Sequence, residues 1–348
     1  MLKVLPRKKF FKGSSRLLLP VTAALLMVMM ATWSLETRRE EETAGATGGG
    51  GGGLEVVEGL PGDDARAVDL LQRHWLQAPS VLPYNLNESP AYLSAANGDT
   101  WTFVHHYVTR LFEGQRGGFF VEAGALDGQM LSNSLWLERE LGWTGLLVEP
   151  DPVSYSRLVT KHRKAWTSNT CLSHTGVTKA SVHVSLTLPA GYRARPWYMK
   201  GSSYEIGFSL NSPSISNYVN AADKSYSVVS CFPLVSYLRA LNVSTIDFLS
   251  LDTQGSEMEI LKTIPWDEVN VRAVVVEIIG SRTGARFVGY MKSLGFTLVG
   301  HFLDYIFVKE GDPSLDKLRS KDGWELVIMN PTEEEPEVTT TGKGQGGQ

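Results

Sequence analysis

The sequence predicts an α/β fold built on a doubly wound, mostly parallel β-sheet. Segments with strand character alternate with helix-like segments along residues 100–310, which is typical of a parallel sheet covered by helices. The segment 271–279 (VRAVVVEII) is almost entirely β-branched and apolar, which indicates a strand buried on both faces. Three predicted strands end in carboxylates, and ligands of such sheets bind at the carboxyl ends of the strands.

Local signals define the elements in chain order. Residues 63–64 are two aspartates that can cap a helix reaching about Trp75. Residues 151–152 combine an N-cap aspartate with a proline at the first helical position. Ser256 and Glu259 have the spacing of a capping box. The predicted helices are 63–75, 100–113, 133–141, one from 152 and one from 256; the predicted strands are 118–122, 144–149, 166–172, 180–188, 245–252, 271–279, 296–299 and 305–309.

The last two predicted strands are close together and suggest an antiparallel hairpin at one edge of the sheet. Other segments lack a folding pattern, among them a run of six glycines, which is typical of a tether. The expected organisation is a linker at 36–62, an N-terminal extension at 63–99, the main domain at 100–310 with an irregular insertion at 189–225, a C-terminal extension at 311–331 and a disordered tail at 332–348.

The N-terminus has the features of a signal anchor. Residues 1–16 carry six cations and no acid, and residues 17–35 contain no charged side chain. As a helix, this apolar stretch rises about 28 Å, close to the hydrocarbon thickness of a bilayer. The positive-inside bias then predicts a single-pass type II membrane protein of the secretory pathway, with its body in the lumen or outside the cell. A cleaved signal peptide is the alternative, and it sends the body to the same compartment.

The charge distribution argues against nucleic acid as a partner. The net charge is −4, and the six cations of the first 16 residues leave −10 for the rest of the chain. Nucleic-acid phosphates require a basic face, which an acidic body of this kind does not offer.

Location in the secretory pathway would allow a disulfide between the two cysteines and glycosylation at two sequons. Cys171 and Cys231 are the only cysteines, and a disulfide between them is expected in an oxidising lumen. Two buried free thiols are the alternative. Asn87 and Asn242 each begin an N-x-S glycosylation sequon.

The first strand end carries the segment VEAGALDG, which includes Glu122, Gly124 and Gly128. The glycines allow a tight turn and a close approach of the backbone to a ligand. The N-terminus of the helix beyond would favour an anionic group. No G-K-[ST] follows, so the segment is not a P-loop.

Acids at the later strand ends complete the predicted site. Glu149 ends the next strand, where an acid can accept both hydroxyls of a ribose. Asp252 ends a third strand, although capping of the following helix is an alternative for this residue. Glu277 lies within an apolar strand and must pair or face the crevice. The sequence contains no cluster with metal-ligand spacing.

The run FFVEAGALDGQMLSNSLWLERELGWTGLLVEPDP, with FLSLDTQGSEMEILKTIPW and VVVEI, resembles the FkbM-type methyltransferase family over about residues 100–310. The resemblance implies a seven-stranded, Rossmann-like sheet and S-adenosylmethionine (SAM) as cofactor. Asp252 would lie near the transferred methyl group, and Asp252 or Glu277 would be the catalytic base. The implied cofactor-binding residues are Glu122, Gly124, Ala125, Asp127, Gly128 and Glu149.

Within this family, the anchor together with SNSLWLE and the segments around Cys171 and Cys231 is similar to the animal Star-like membrane proteins. That similarity implies transport of membrane-protein cargo, such as growth-factor precursors, from the endoplasmic reticulum towards the Golgi. Two functions therefore stay open: O-methyl transfer to a hydroxyl, for example of a glycan, and a cargo adaptor without catalysis. A sugar-nucleotide transferase is weaker, because the chain has no D-x-D motif.

Overall fold

The computed structural model describes residues 58–90, 92–93, 99–186, 203–206, 224–278, 281–302 and 304–319. The predicted basic segment, signal anchor and C-terminal tail lie outside these residues, as do most of the linker and much of the insertion. Among the residues described, none of the helices is both long and apolar enough to cross a bilayer.

Strands and helices alternate along the described chain, but helices at Leu234–Leu241 and Ser281–Ser293 and strands at Ser203–Glu205 and Lys224–Phe232 were not predicted from the sequence. The helices are α1 (Ala65–His74), α2 (Asp99–Leu111), α3 (Leu135–Leu141), α4 (Pro152–Val159), α5 (Leu234–Leu241), α6 (Glu257–Lys262), α7 (Ser281–Ser293) and α8 (Ser314–Arg319). The strands are β1 (Leu76–Gln77), β2 (Phe119–Ala123), β3 (Thr144–Val148), β4 (Trp166–Ser168), β5 (Cys171–Leu172), β6 (Lys179–Leu186), β7 (Ser203–Glu205), β8 (Lys224–Phe232), β9 (Thr245–Leu251), β10 (Asn270–Glu277), β11 (Phe296–His301) and β12 (Asp304–Lys309).

Eight strands form the main sheet, in the order β1-β4-β3-β2-β9-β10-β12-β11. The five strands from β4 to β10 are parallel, and β12 runs antiparallel to both of its neighbours. The predicted doubly wound sheet and its antiparallel edge hairpin are thereby confirmed. The sheet has one strand more than the seven that the resemblance implies, because the two-residue β1 pairs with β4. A strand of two residues is too short to leave a periodic pattern in the sequence.

A second sheet of four strands, in the order β5-β8-β6-β7, was not expected from the sequence. The predicted strand 166–172 divides between the two sheets: β4 belongs to the large sheet and β5 to the small one. Cys171 and Cys231 are register partners on β5 and β8, and they form a disulfide. The predicted disulfide is thereby confirmed, and the free-thiol alternative is wrong.

Two of the three predicted helix caps form. The side chains of Asp64 and Asp151 accept hydrogen bonds from the backbone N–H groups of Arg66 and Ser154. Ser256 occupies the N-cap position of α6, but its hydroxyl donates to Thr253 Oγ1 and makes no capping bond. The predicted capping box at Ser256 is therefore wrong, and a buried glutamate described below takes its place.

The core lies on both faces of the large sheet. Val121 and Ala123 of β2 belong to one buried apolar cluster, whereas Phe120 belongs to a second cluster on the opposite face. Successive side chains of a strand point to opposite faces, so Glu122 extends into the same layer as Phe120. Helices therefore cover both faces of the sheet, which leaves the carboxyl ends of its strands as the place for a ligand.

Candidate functional site

The order of the large sheet reverses between β2 and β9. From β2 the chain proceeds to β3 and β4 on one side, and from β9 to β10 on the other. The ends of these strands are joined by backbone hydrogen bonds: Asp252 N–H donates to Ala123 O at 3.0 Å, and Gly124 N–H donates to Val148 O at 3.0 Å. In sheets of this type, the crevice at the reversal is the ligand-binding position.

The glycine turn after β2 packs directly against the end of β9. Gly124 has a φ of +85°, and a Cβ built on it would overlap the carbonyl oxygen of Asp252 and lie 2.9 Å from the carbonyl carbon. Gly128 also has a positive φ, and a Cβ there would lie 2.9 Å from Leu158 Cγ. Both glycines are thus required by the close approach of neighbouring elements, and Ala125 between them is buried.

Glu149 lies at the end of β3 and is only 3% exposed. Its Oε2 accepts the N–H of Leu126 at 2.7 Å, and its Oε1 accepts the N–H of Asp151 at 2.8 Å. Burial raises the pKa of Glu149 to about 8, and the charges of Asp151 and Asp252 act in the same direction, although the two N–H donors oppose them. The carboxyl therefore holds the Gly124 turn against the end of β3.

Glu122 is also buried, and its carboxylate is bound by the loop that precedes α3. Its oxygens accept hydrogen bonds from the Ser132 hydroxyl at 2.8 Å, the Asn133 N–H at 3.0 Å and the Ser134 hydroxyl. Arg163 extends this network, because its guanidinium donates to both serine hydroxyls. The same guanidinium forms an ion pair with Glu138 in which both side chains are 0% exposed.

Asp127 likewise binds donors of its own surroundings. Its Oδ1 accepts the backbone N–H groups of Gln129 and Met130, at 3.0 and 2.7 Å. Its Oδ2 accepts the hydroxyl of Tyr92 at 3.2 Å, and the Nζ of Lys161 lies 3.6 Å away. In this conformation, Asp127 fixes the turn that follows the glycine loop.

Asp252 and Glu277 come together at the ends of β9 and β10. The Nε2 of Gln254 joins them, because it donates to Asp252 Oδ1 at 2.5 Å and to Glu277 Oε2 at 2.7 Å. Asp252 is exposed. Its negative charge is the largest cause that holds the pKa of Glu277 well above its usual range, and the burial of Glu277 is the second. Both predicted catalytic residues therefore lie at one edge of the sheet.

The alternative role considered for Asp252 was to cap the following helix. A different residue binds the backbone N–H groups there. Glu257 is buried and accepts the N–H groups of Thr253 and Gly255, at 2.8 and 3.0 Å. Burial raises the pKa of Glu257. Asp252 therefore does not cap the helix, and its side chain is exposed at the end of β9.

Three functional candidates have no distinct signal in the sequence: Gln254, Glu257 and Asp304. Asp304 begins β12 and is the register partner of Glu277 across the β10–β12 pair. Burial raises the pKa of Asp304 to about 7, and the charge of Asp252 contributes. In the sequence, Asp304 is only an acid that directly precedes an apolar run. Many solvent-exposed acids at the start of a strand have the same pattern. We call Asp252, Glu277 and Asp304 the acidic rim.

Within the part of the chain that the structure covers, no group of three or more histidine, cysteine or acidic side chains is arranged to hold a metal ion. Asn87 and Asn242 are both exposed, so each sequon is accessible to modification, and glycosylation stays a prediction.

A mixed sheet covered by helices, with a glycine turn and acids at its reversal point, defines a methyltransferase-like α/β protein. The methyltransferase FkbM domain matches residues 122–307. The chain belongs to the FkbM methyltransferase family.

Among solved structures, the chain is similar to one titled human methyltransferase 10 domain containing protein, with 12% identity, a TM-score of 0.29 and coverage of 71% of this chain and 95% of that one. A second, titled delta-N METTL16 MTase domain, shows 12% identity, a TM-score of 0.27 and coverage of 70% and 93%. The comparison with curated proteins gives no match.

Proposed function

We propose that this FkbM-family protein is a membrane-anchored, SAM-dependent O-methyltransferase that acts on a hydroxyl in the lumen of the secretory pathway. The observation that carries the proposal is the meeting of the Gly124 turn, Glu149 and Asp252 at the reversal point of the sheet. A nucleoside cofactor with a positively charged reacting centre suits a crevice of this composition.

Two features of the crevice fit SAM. The missing side chain at Gly124 lets the turn after β2 pack against the backbone of Asp252, so the turn and the end of β9 meet at the crevice. The acidic rim at the other side is complementary to a cation. SAM, when bound, supplies a methyl group activated by its sulfonium.

The proposed roles follow from position and protonation. Glu149 receives the ribose hydroxyls through the lone pairs that its two N–H donors leave free. Asp252 takes the proton of the acceptor hydroxyl while the new oxygen–carbon bond forms and the carbon–sulfur bond breaks, leaving its electron pair on sulfur. The charge of Asp252 and burial hold the pKa of Glu277 well above its usual range, which favours the protonated form, so Glu277 acts as a hydrogen-bond donor beside Asp252 rather than as a base.

Calorimetry of the full-length protein in detergent with SAM tests the cofactor assignment. We expect binding by the wild type and its loss in Glu149→Ala, because the variant lacks both the ribose acceptor and the bonds that hold the glycine turn. Glu140→Ala is a matched control, since Glu140 is an exposed acid nine residues earlier in the sequence. Absence of heat from the wild type at millimolar SAM would contradict the proposal.

The anchor assigned to residues 17–35 is tested separately. We expect the full-length protein to stay with the membrane after alkaline carbonate extraction, and its body to be protected from protease in sealed microsomes. A soluble fraction after extraction would favour a cleaved signal peptide.

A second candidate function is a Star-like cargo adaptor without catalysis, and one feature of the small sheet favours it. Val182, Ile206 and Val228 form a row across β6, the end of β7 and β8, with 38%, 53% and 74% of their surfaces exposed. Exposed apolar rows of this kind are typical of protein-binding surfaces. We expect Val228→Asp to weaken cargo binding in this case and to leave SAM binding unchanged, as measured by co-precipitation and calorimetry.

A further inference from the structure

The small sheet carries polar side chains on its buried face and apolar side chains on its exposed face. Three alternate residues of β6 are polar and buried: Ser181, His183 and Ser185. Val182 lies between them and points to the opposite face, where 38% of its surface is exposed. Its register partner on β8, Val228, is 74% exposed. An antiparallel sheet with one covered face normally has the reverse arrangement, with apolar residues inwards and polar residues outwards.

Hydrogen bonds hold the polar face of the small sheet inwards. Glu205 of β7 accepts the hydroxyl of Ser181 at 2.5 Å and forms an ion pair with Lys179. The hydroxyl of Ser185 donates to the side chain of Asp151, the N-cap of α4, at 2.5 Å. The buried face is thereby joined to a helix that packs on the large sheet, so the apolar face is the one directed away from that helix.

We call the apolar side of the small sheet the outer face. Its further register positions are occupied by uncharged residues, namely Ala180, Val184, Tyr204, Ile206, Tyr226 and Ser230. Ile206 and Tyr226 are 53% and 62% exposed, and the cation Lys224 lies at the end of the same face. Single exposed apolar residues are ordinary, whereas a contiguous group of them indicates a surface that another molecule or a membrane covers.

The chain enters the folded body beside the small sheet. The N–H of Gly59 donates to Thr178 O at 2.7 Å, and the N–H of Thr178 donates to Leu60 O at 2.8 Å, directly before β6. The predicted anchor ends at residue 35, and the 22 residues 36–57 separate it from Glu58, where the described chain begins. A flexible linker of that length spans about 25 Å on average, so the anchor would keep the start of β6 near the bilayer.

The composition of the outer face is suited to a lipid surface. Valine and isoleucine side chains enter the boundary between headgroups and acyl chains, and tyrosine is enriched there because its ring is apolar and its hydroxyl polar. A lysine at the edge of such a face, as Lys224 is, can extend its ammonium to lipid phosphates while its stem covers apolar surface. The outer face therefore combines the residue types of a peripheral membrane contact.

We propose that the outer face of the small sheet contacts the lumenal surface of the membrane that anchors the chain. This inference rests on the anchor of the proposed function, but not on SAM binding or catalysis. The contact gives the body a fixed orientation on the membrane, which a flexible linker alone does not provide.

Lipid quenching of a fluorescent reporter tests the contact in the full-length protein. Val228→Cys is labelled with a small thiol-reactive fluorophore, to which the native cysteines are inert because they form a disulfide. The labelled protein is reconstituted into phosphatidylcholine nanodiscs that contain nitroxide-labelled lipid. We expect about threefold stronger quenching than for the same reporter in Val81→Cys, because interfacial side chains lie among the lipid headgroups. Val81 is the matched control, since it is a valine with 97% exposure outside the small sheet.

A charge on the outer face and a change of salt define the kind of contact. Val182→Asp, combined with the reporter at residue 228, should lower the quenching to the level of the Val81 reporter. The wild-type quenching should persist at high salt, because salt screens attractions between exposed charges and leaves apolar contacts in place. A signal that disappears at high salt would show attraction through Lys224 and would overturn the apolar contact.

The outcomes separate this inference from the proposed function. If the full-length protein leaves the membrane during carbonate extraction, the anchor and this inference both fail. If the protein is retained and the lipid quenches the reporters at residues 228 and 81 equally, only the membrane contact is overturned, and the outer face stays available to protein cargo. Ile206→Cys supplies a second reporter on the same face, so misfolding of one labelled variant leaves the test decisive.

Discussion

Gly124 and Asp252 approach each other so closely that any side chain at residue 124 would overlap the backbone of Asp252. The glycine directly follows β2 and the aspartate directly follows β9, so their contact lies at the point where the sheet reverses its order. The turn that would carry the cofactor and the residue that would face its methyl group are thus held together by backbone packing.

We expect Gly124→Ala to lower the free energy of unfolding by about 3 kcal/mol or more. A positive φ costs a non-glycine residue about 1–3 kcal/mol, and overlap with Asp252 adds a similar amount. Gly142→Ala is the matched control, because Gly142 has a φ of +64° and no atom within 4 Å of the added methyl group. Urea denaturation of both variants measures the difference, and equal losses would contradict the close approach.

Glu149 should make stability depend on pH. Its folded pKa of about 8 exceeds the ordinary value of 4.5, so the folded state binds more protons between these limits and stability falls as the pH rises through them. The slope from this residue is at most about 1.4 kcal/mol per pH unit. We expect Glu149→Gln to flatten the decrease between pH 5 and pH 8 in urea denaturation.

Glu140→Gln, which changes an exposed acid, should leave the slope as in the wild type. A wild-type slope in Glu149→Gln would show that Glu149 is ionised in the folded protein at neutral pH.

The buried ion pair between Arg163 and Glu138 should contribute far more to the free energy of unfolding than an ion pair at the surface. We expect Arg163→Met to lower the free energy of unfolding by about 3–5 kcal/mol, since it leaves Glu138 buried without its cation. Arg239→Met breaks the pair with Glu268, in which both side chains are more than half exposed, and should cost at most about 1 kcal/mol. Denaturant titrations of the two variants give the comparison, and similar costs would contradict the predicted difference.

The disulfide should contribute about 4 kcal/mol, because it closes a loop with a sequence separation of 60 residues. We expect the variant with Cys171→Ala and Cys231→Ala to unfold at lower denaturant than the oxidised wild type, and a reducing agent to destabilise only the wild type. Equal sensitivity of both proteins to the reducing agent would exclude the bond as its target.

Much of the fold could be predicted because its signals are local. The apolar β10, the proline after Asp151 and the cap at Asp64 act through adjacent residues, and each produced the expected element. β5 and the small sheet could not be predicted, because β5 has two residues and its partner β8 lies about sixty residues further along the chain.

The candidate site was only partly predictable for a related reason. Strand ends can be located from a pattern, so Glu122, Glu149 and Asp252 were expected at one edge. What each carboxyl binds depends on side chains from distant or irregular segments. Glu122 is bound by a loop ten to twelve residues later, and the partner of Glu277 is Gln254 in a turn with a positive φ. Such contacts have no periodicity that a sequence could display.

The bond between Cys171 and Cys231 also determines how the molecule would respond to being cut. A protease that cleaves anywhere between the two cysteines produces two polypeptides that stay covalently joined. The nicked protein would migrate as one species on a non-reducing gel and as two after reduction. Cleavage in the long connections around β7 would therefore leave the molecule in one piece for as long as its surroundings stay oxidising.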